Sequence, residues 1–195
     1  MLEDRELALV ITAEPVDDEL VGFFSKLVLY QLPVTPVDFY RAWSFGGSEL
    51  YLGYTAKDLE RNQALWSRLY PVRDQLVQLY VMLGREGTSG EVEVSRTWCG
   101  QGALDLEWIG ICRGLRVFLE LGLIEAEGAP TWENADSIQV RLLPAPKNKL
   151  DLTRSISYNE CVKWRAYLDS YGYWALETPA SRFQEQDAWK IVLGA

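Results

Sequence analysis

The chain contains no histidine. That single absence removes Ser-His-Asp triads, Cys-His nucleophile pairs and every imidazole metal ligand. Three cysteines are present, Cys99, Cys112 and Cys161. They are odd in number and far apart, and they match neither a zinc spacing nor a disulfide framework. Cys112 falls on an apolar helical stripe and reads as a small core residue. Reduced thiols fit an intracellular protein. The clearest acidic constellation is Glu14, Asp17 and Asp18, in the turn after the first apolar run. Two readings exist for it, a divalent-metal site or a helix N-terminus that favours carboxylates. The helix N-terminus is the simpler account, and no cofactor is expected in this chain.

Basic side chains gather elsewhere. From Ser137 to Arg165 there are six of them: Arg141, Lys147, Lys149, Arg154, Lys163 and Arg165. Against Asp151 and Glu160 they give a local balance of +4, in a chain whose net charge is −9. Arg113 and Arg116 add charge to the helix just before. A local basic patch is what phosphate contacts would need on an acidic protein. Tyr158, Trp164 and Tyr167 could stack on unpaired bases. Each residue also has a plainer role. Lys147 and Lys149 can solvate a linker, and Trp164 and Tyr167 fall at helical spacing and read as core. Glu120, Glu125 and Glu127 bring the wrong sign to the would-be recognition helix. The acidic surface favours docking on a protein over gripping DNA.

The elements that must position these groups show in the hydrophobic pattern. Trp108, Ile111, Cys112, Leu115, Phe118 and Leu119 recur at steps of three and four, which predicts one apolar stripe on a helix. Gly122 should end it. Leu123–Glu127 and Ile138–Leu142 read as two strands of a hairpin. Ahead of them, Arg73–Gly87 predicts a helix with Leu76, Leu79, Tyr80 and Leu83 inward, and Glu91–Val94 a short strand. This is a winged-helix layout with a shortened or missing middle helix. Ser157-x-x-Glu160 reads as a capping box that opens a helix to about Asp169, burying Cys161, Trp164, Tyr167 and Leu168. A last amphipathic helix is expected after Pro179, through Phe183, Trp189 and Val192.

The first part of the chain alternates. Leu7–Ile11, Leu27–Tyr30 and Glu49–Tyr54 read as strands. Asp17–Lys26, Pro36–Trp43 (capped by Thr35) and a longer helix from Thr55 lie after them. The order βαβαβα predicts a small parallel sheet, half of a doubly wound unit. Its first turn, Thr12–Asp18, has no glycine and cannot cradle a phosphate, which argues against a nucleotide-binding enzyme. With 195 residues and 48% hydrophobic content, the expectation is an α/β chain in three parts. These are residues 1–70 as the small α/β unit, 71–160 as the winged-helix-like unit and 161–195 as a C-terminal helical extension. No apolar run is long enough to span a membrane. The acidic start MLEDRELALVITAEP lacks the positive charge of a signal peptide. A cytoplasmic location is expected.

Several stretches resemble a known family when taken in order: Leu29-Tyr30-Gln31-Leu32-Pro33, then Leu69-Tyr70-Pro71-Val72-Arg73, then Phe118-Leu119-Glu120-Leu121-Gly122-Leu123-Ile124-Glu125, then Lys149-Leu150-Asp151-Leu152 with Ser155 and Tyr158. Together they resemble the C-terminal accessory domain of the bacterial single-stranded-DNA-specific exonuclease RecJ, of the Firmicute type. The likeness covers most of residues 7–160. It implies a role in DNA repair and recombination, beside a 5′→3′ exonuclease core that uses Mn²⁺ or Mg²⁺. The metal cluster of that core contains histidine, so this chain would be its non-catalytic tail. The partners implied are the exonuclease catalytic core, single-stranded DNA, and a repair protein such as a helicase or single-strand-binding protein. A stand-alone winged-helix interaction module is the rival reading.

Overall fold

The computed structural model describes residues 8–11, 26–44, 49–87, 90–100, 104–144, 146 and 149–179. The expected helix at 17–26, the expected helix after Pro179 and Lys147 lie wholly or largely outside these residues. The chain is mixed α/β, with two small sheets among the described residues. It divides into two compact units, residues 1–64 with 167–195, and residues 65–166.

In the first unit, β1 (Ala8–Ile11), β2 (Lys26–Leu29) and β3 (Glu49–Leu52) pair in parallel in that order, with Leu29 opposite Ile11 on one side and Leu52 on the other. Helix α1 (Pro36–Ser44) starts where the sequence places it, because the Asp38 N–H donates to Thr35 Oγ1 at 3.2 Å. Phe39 is fully buried, with edge contacts to the rings of Tyr54, Tyr171 and Trp174. Helix α2 (Ala56–Leu69) brings in Asn62, a buried polar residue. Its amide donates to the carbonyls of Leu32 and Pro33 at 3.0 and 3.2 Å, and the Tyr171 hydroxyl donates to the Pro33 carbonyl at 2.9 Å. The loop after β2 is thereby satisfied by side chains, as buried backbone requires.

The second unit is built on α3 (Arg73–Glu86), β4 (Glu91–Ser95), α4 (Trp108–Glu120), β5 (Ile124–Glu125) and β6 (Ser137–Leu142). Strand β6 pairs antiparallel with both β4 and β5 and sits between them. Val92 and Val94 lie opposite Val140 and Ile138, and all four are buried while Glu91, Glu93 and Gln139 face out. The α4 stripe is buried as the spacing predicts, with Leu119 at its half-buried edge. Gly122 takes φ +67° after the helix end. The Leu123 N–H returns to the Phe118 carbonyl at 2.9 Å and the Gly122 N–H to the Leu119 carbonyl at 3.1 Å, a Schellman closure. A Cβ on Gly110 would lie 2.1 Å from the Arg68 carbonyl oxygen, and one on Gly114 2.7 Å from Leu79 Cδ2. Two glycines one turn apart therefore let α4 lie against the end of α2 and against α3.

Helix α5 (Ile156–Glu177) is 22 residues long and runs past the expected end at Asp169. Cys161, Leu168, Tyr171 and Ala175 are buried along it. Trp164 is not core, as its spacing suggests, but 49% exposed. Helical spacing fixes the direction of a side chain, not whether another element closes over it. The expected Ser157–Glu160 capping box is also absent. Ser155 caps instead, its Oγ accepting the Tyr158 N–H at 3.0 Å.

Candidate functional site

Among the described residues, the basic side chains singled out by charge differ in what they touch. Arg113 is half-buried, and its guanidinium donates to the Leu69 carbonyl at 2.7 Å and lies 4.1 Å over the Tyr70 ring. It caps the C-terminus of α2, where carbonyls lack partners and a cation is favoured. Arg116 donates to Glu133 and to the Ala129 carbonyl, both at 3.1 Å, and pins the turn between β5 and β6. Arg141 pairs across the strands with Glu125. Arg165 is half-buried, and its Nη1 has no hydrogen-bond partner among the described residues. Lys149, Arg154 and Lys163 are exposed, and none makes an ion pair among the described residues.

Lys149 meets a residue that charge counting passed over. It flanks an apolar groove of about 240 Å³ together with Arg73, the first residue of α3. Val77 and Val81 of α3, the buried Phe118 and Leu123, and Leu150 and Leu152 line it. The volume lies below the roughly 300–1,000 Å³ of small-molecule sites, and suits apolar side chains of a docked segment. Val77 is 53% and Val81 44% exposed. A notch of mixed lining, about 320 Å³, adjoins it, with Arg73, Lys149, Thr153 and Tyr158 beside Leu150 and Leu152. Asp151 also lines the notch, but its carboxylate is engaged by the Thr153 N–H and hydroxyl at 3.0 and 2.7 Å, which hold it below the usual carboxylate range.

The sequence carried a signal for this groove. Val77 and Val81 are apolar yet lie off the Leu76–Leu79–Leu83 stripe, so α3 is apolar on more than one face. Such a helix has something further to cover.

Of the carboxylates on α4, Glu120 is structural. It receives the hydroxyls of Ser155 and Ser157 at 2.6 and 2.5 Å and the Ser157 N–H at 3.1 Å. Partial burial pushes its pKa up, but these hydrogen bonds outweigh it and hold the carboxyl below its ordinary value. Burial pushes the Cys112 thiol up to about 12 and the Cys161 thiol up to about 11, so neither is poised as a thiolate. Among the described residues no group of three or more Cys, Asp and Glu side chains is placed to hold a metal ion. Glu14, Asp17 and Asp18 lie outside them. No described helix is long and apolar enough to cross a membrane. No family model, curated protein or solved structure matches this chain.

Proposed function

We propose that this chain is a non-catalytic accessory domain of a single-strand-specific 5′→3′ exonuclease, and that it acts by docking a protein. The order of the motifs in the sequence supports the exonuclease association. The order α3, β4, α4, β5, β6, with β6 between β4 and β5, supports reading residues 71–160 as a winged helix. The parallel pairing of β1, β2 and β3 supports a half doubly wound unit in residues 1–70.

One observation carries docking over DNA positioning. Arg113, Arg116 and Arg141 spend their guanidinium groups on partners within the chain, whereas Val77 and Val81 stand exposed beside an apolar groove. Exposed apolar surface with a polar rim marks interaction sites. The test is retention of an exonuclease catalytic core on the immobilised chain. Retention that Val77→Ser with Val81→Ser abolishes supports the reading, and no retention by the unaltered chain overturns it.

A second reading keeps DNA in play through Lys149, Arg154 and Lys163, which are exposed and without an ion pair among the described residues. Fluorescence anisotropy of a labelled single strand of about 20 nucleotides separates the two, since phosphate contacts weaken steeply with salt. Binding at low salt that Lys149→Glu removes favours this second reading. No binding leaves docking alone.

A further inference from the structure

We infer that the groove on α3 receives an acidic amphipathic helix from a partner protein. The inference deepens the docking reading and rests on it. Arg73, Val77, Val81 and Arg85 follow one another at steps of four along α3. Residues at that spacing form a single ridge on a helix surface, and ridges of this kind are what helices present to one another. This ridge is cation, apolar, apolar, cation. All four residues are exposed, and neither arginine makes an ion pair among the described residues. A Cβ on Gly84, on the same side of the helix one turn beyond Val81, would meet nothing within 4 Å. Among the described residues, the space beside Gly84 is open.

The charges select the occupant. The chain is −9 overall, so an acidic partner is repelled by most of its surface. Here it meets Arg73 and Lys149 at one end of the groove and Arg85 beyond the other. Glu86 points off the ridge, whereas Asp74 lies beside it, three residues before Val77, and Asp151 lines the adjoining notch with its carboxylate held by Thr153; Arg73, Lys149 and Arg85 outnumber these two carboxylates. Twelve residues separate the two arginines, about 18 Å along the helix axis. An opposing helix therefore needs carboxylates about three turns apart, with apolar side chains between them to fill the groove. Helix-in-groove recognition uses this i, i+4, i+7 pattern.

The probe is a stapled helical peptide of about 18 residues. It carries leucines at i, i+4 and i+7 and glutamates at i−4 and i+8, about 18 Å apart along the axis. Three relatives serve as controls: lysines for the glutamates, a central proline without the staple, and the Leu→Ser form. Binding is read by anisotropy at low salt. The glutamate peptide should bind, and Arg73→Glu with Arg85→Glu should weaken it at least tenfold while improving the lysine peptide. Val77→Ser with Val81→Ser should weaken both. All substituted positions are exposed, and circular dichroism checks that the variants fold. The inference is overturned by no binding up to about 1 mM, the weak end of affinity. It is equally overturned if the lysine or proline peptide binds the unaltered chain as well as the glutamate peptide does. Self-association that the valine pair dissolves would show a second copy as the occupant instead. Retention of an exonuclease core is a separate measurement. If it survives while the peptide test fails, the acidic-helix assignment falls and the docking reading stands.

Discussion

Glu120, the last residue of α4, caps a helix that begins 36 residues later: both Ser157 Oγ and the Ser157 N–H donate to its carboxylate, at 2.5 and 3.1 Å. With Ser155, it replaces the capping box that Ser157 and Glu160 could have formed. Removing a cap costs about 0.5–2 kcal/mol. Glu120→Ala should therefore lower unfolding stability by about 1–2 kcal/mol in urea titration, and Glu160→Ala should change it little. The carboxyl is held below its ordinary value in the folded chain. Its contribution is thus complete above the unfolded carboxyl value, roughly 4.3, and is lost as pH falls through the lower folded value. The gap between Glu120→Ala and the unaltered chain should close on acidification below that window. A gap independent of pH would mean that packing, not the charged cap, sets the loss.

What the sequence made legible was local. The α4 stripe, the Gly122 stop and the Thr35 cap each depend on residues a few positions apart, and each is present. What it hid depends on a second element. Glu120 needs the start of α5, Asn62 needs the carbonyls after β2, and Gly110 needs the Arg68 carbonyl before its missing Cβ has meaning. Trp164 failed for the converse reason, since its spacing is right but the residue is about half exposed. The basic residues were read by charge density alone. Charge density does not say that Arg113 is consumed by a helix end, nor that Lys149 joins Arg73 at a groove.

Arg113 caps α2 through the Leu69 carbonyl and covers Tyr70. Lysine keeps the charge but not the planar stack or the fixed fork. Arg113→Lys should lose about 1–2 kcal/mol of stability, in line with a hydrogen bond to a charged group plus a cation–π contact. Single-strand binding, if any is measured, should be unaffected once the variant is folded. A variant of unchanged stability with weakened oligonucleotide binding would return Arg113 to the DNA surface.

Gly110 and Gly84 are both helical glycines, and the same substitution should move them in opposite directions. At Gly110 a methyl would have to displace the Arg68 backbone, whose carbonyl lies 2.1 Å from the Cβ position and accepts the Glu107 N–H at 3.1 Å. Backbone cannot swing aside as a side-chain tip does, so Gly110→Ala should cost more than about 2 kcal/mol or prevent folding. At Gly84 the space is open. There alanine gains helix propensity and loses unfolded-state freedom, so Gly84→Ala should raise stability by about 0.5–1 kcal/mol. Thermal unfolding of the two variants side by side tests both. Equal effects would mean that α4 does not approach the end of α2 this closely.

The three thiols should react in a fixed order. Cys112 is fully buried and Cys161 nearly so, with burial pushing them to about 12 and about 11. Cys99 is half-buried, and its thiol is raised as well, first by burial and then by the nearby Glu107. Only the thiolate attacks a disulfide reagent, and only where the reagent can reach it. Cys99 should therefore label first with an aromatic disulfide at pH 8, and faster as pH rises. Cys112 and Cys161 should label only at the rate of opening or unfolding, and so should speed up in sub-denaturing urea while Cys99 does not. Cys112 reacting as fast as Cys99 in native buffer would show that α4 does not hold its stripe closed.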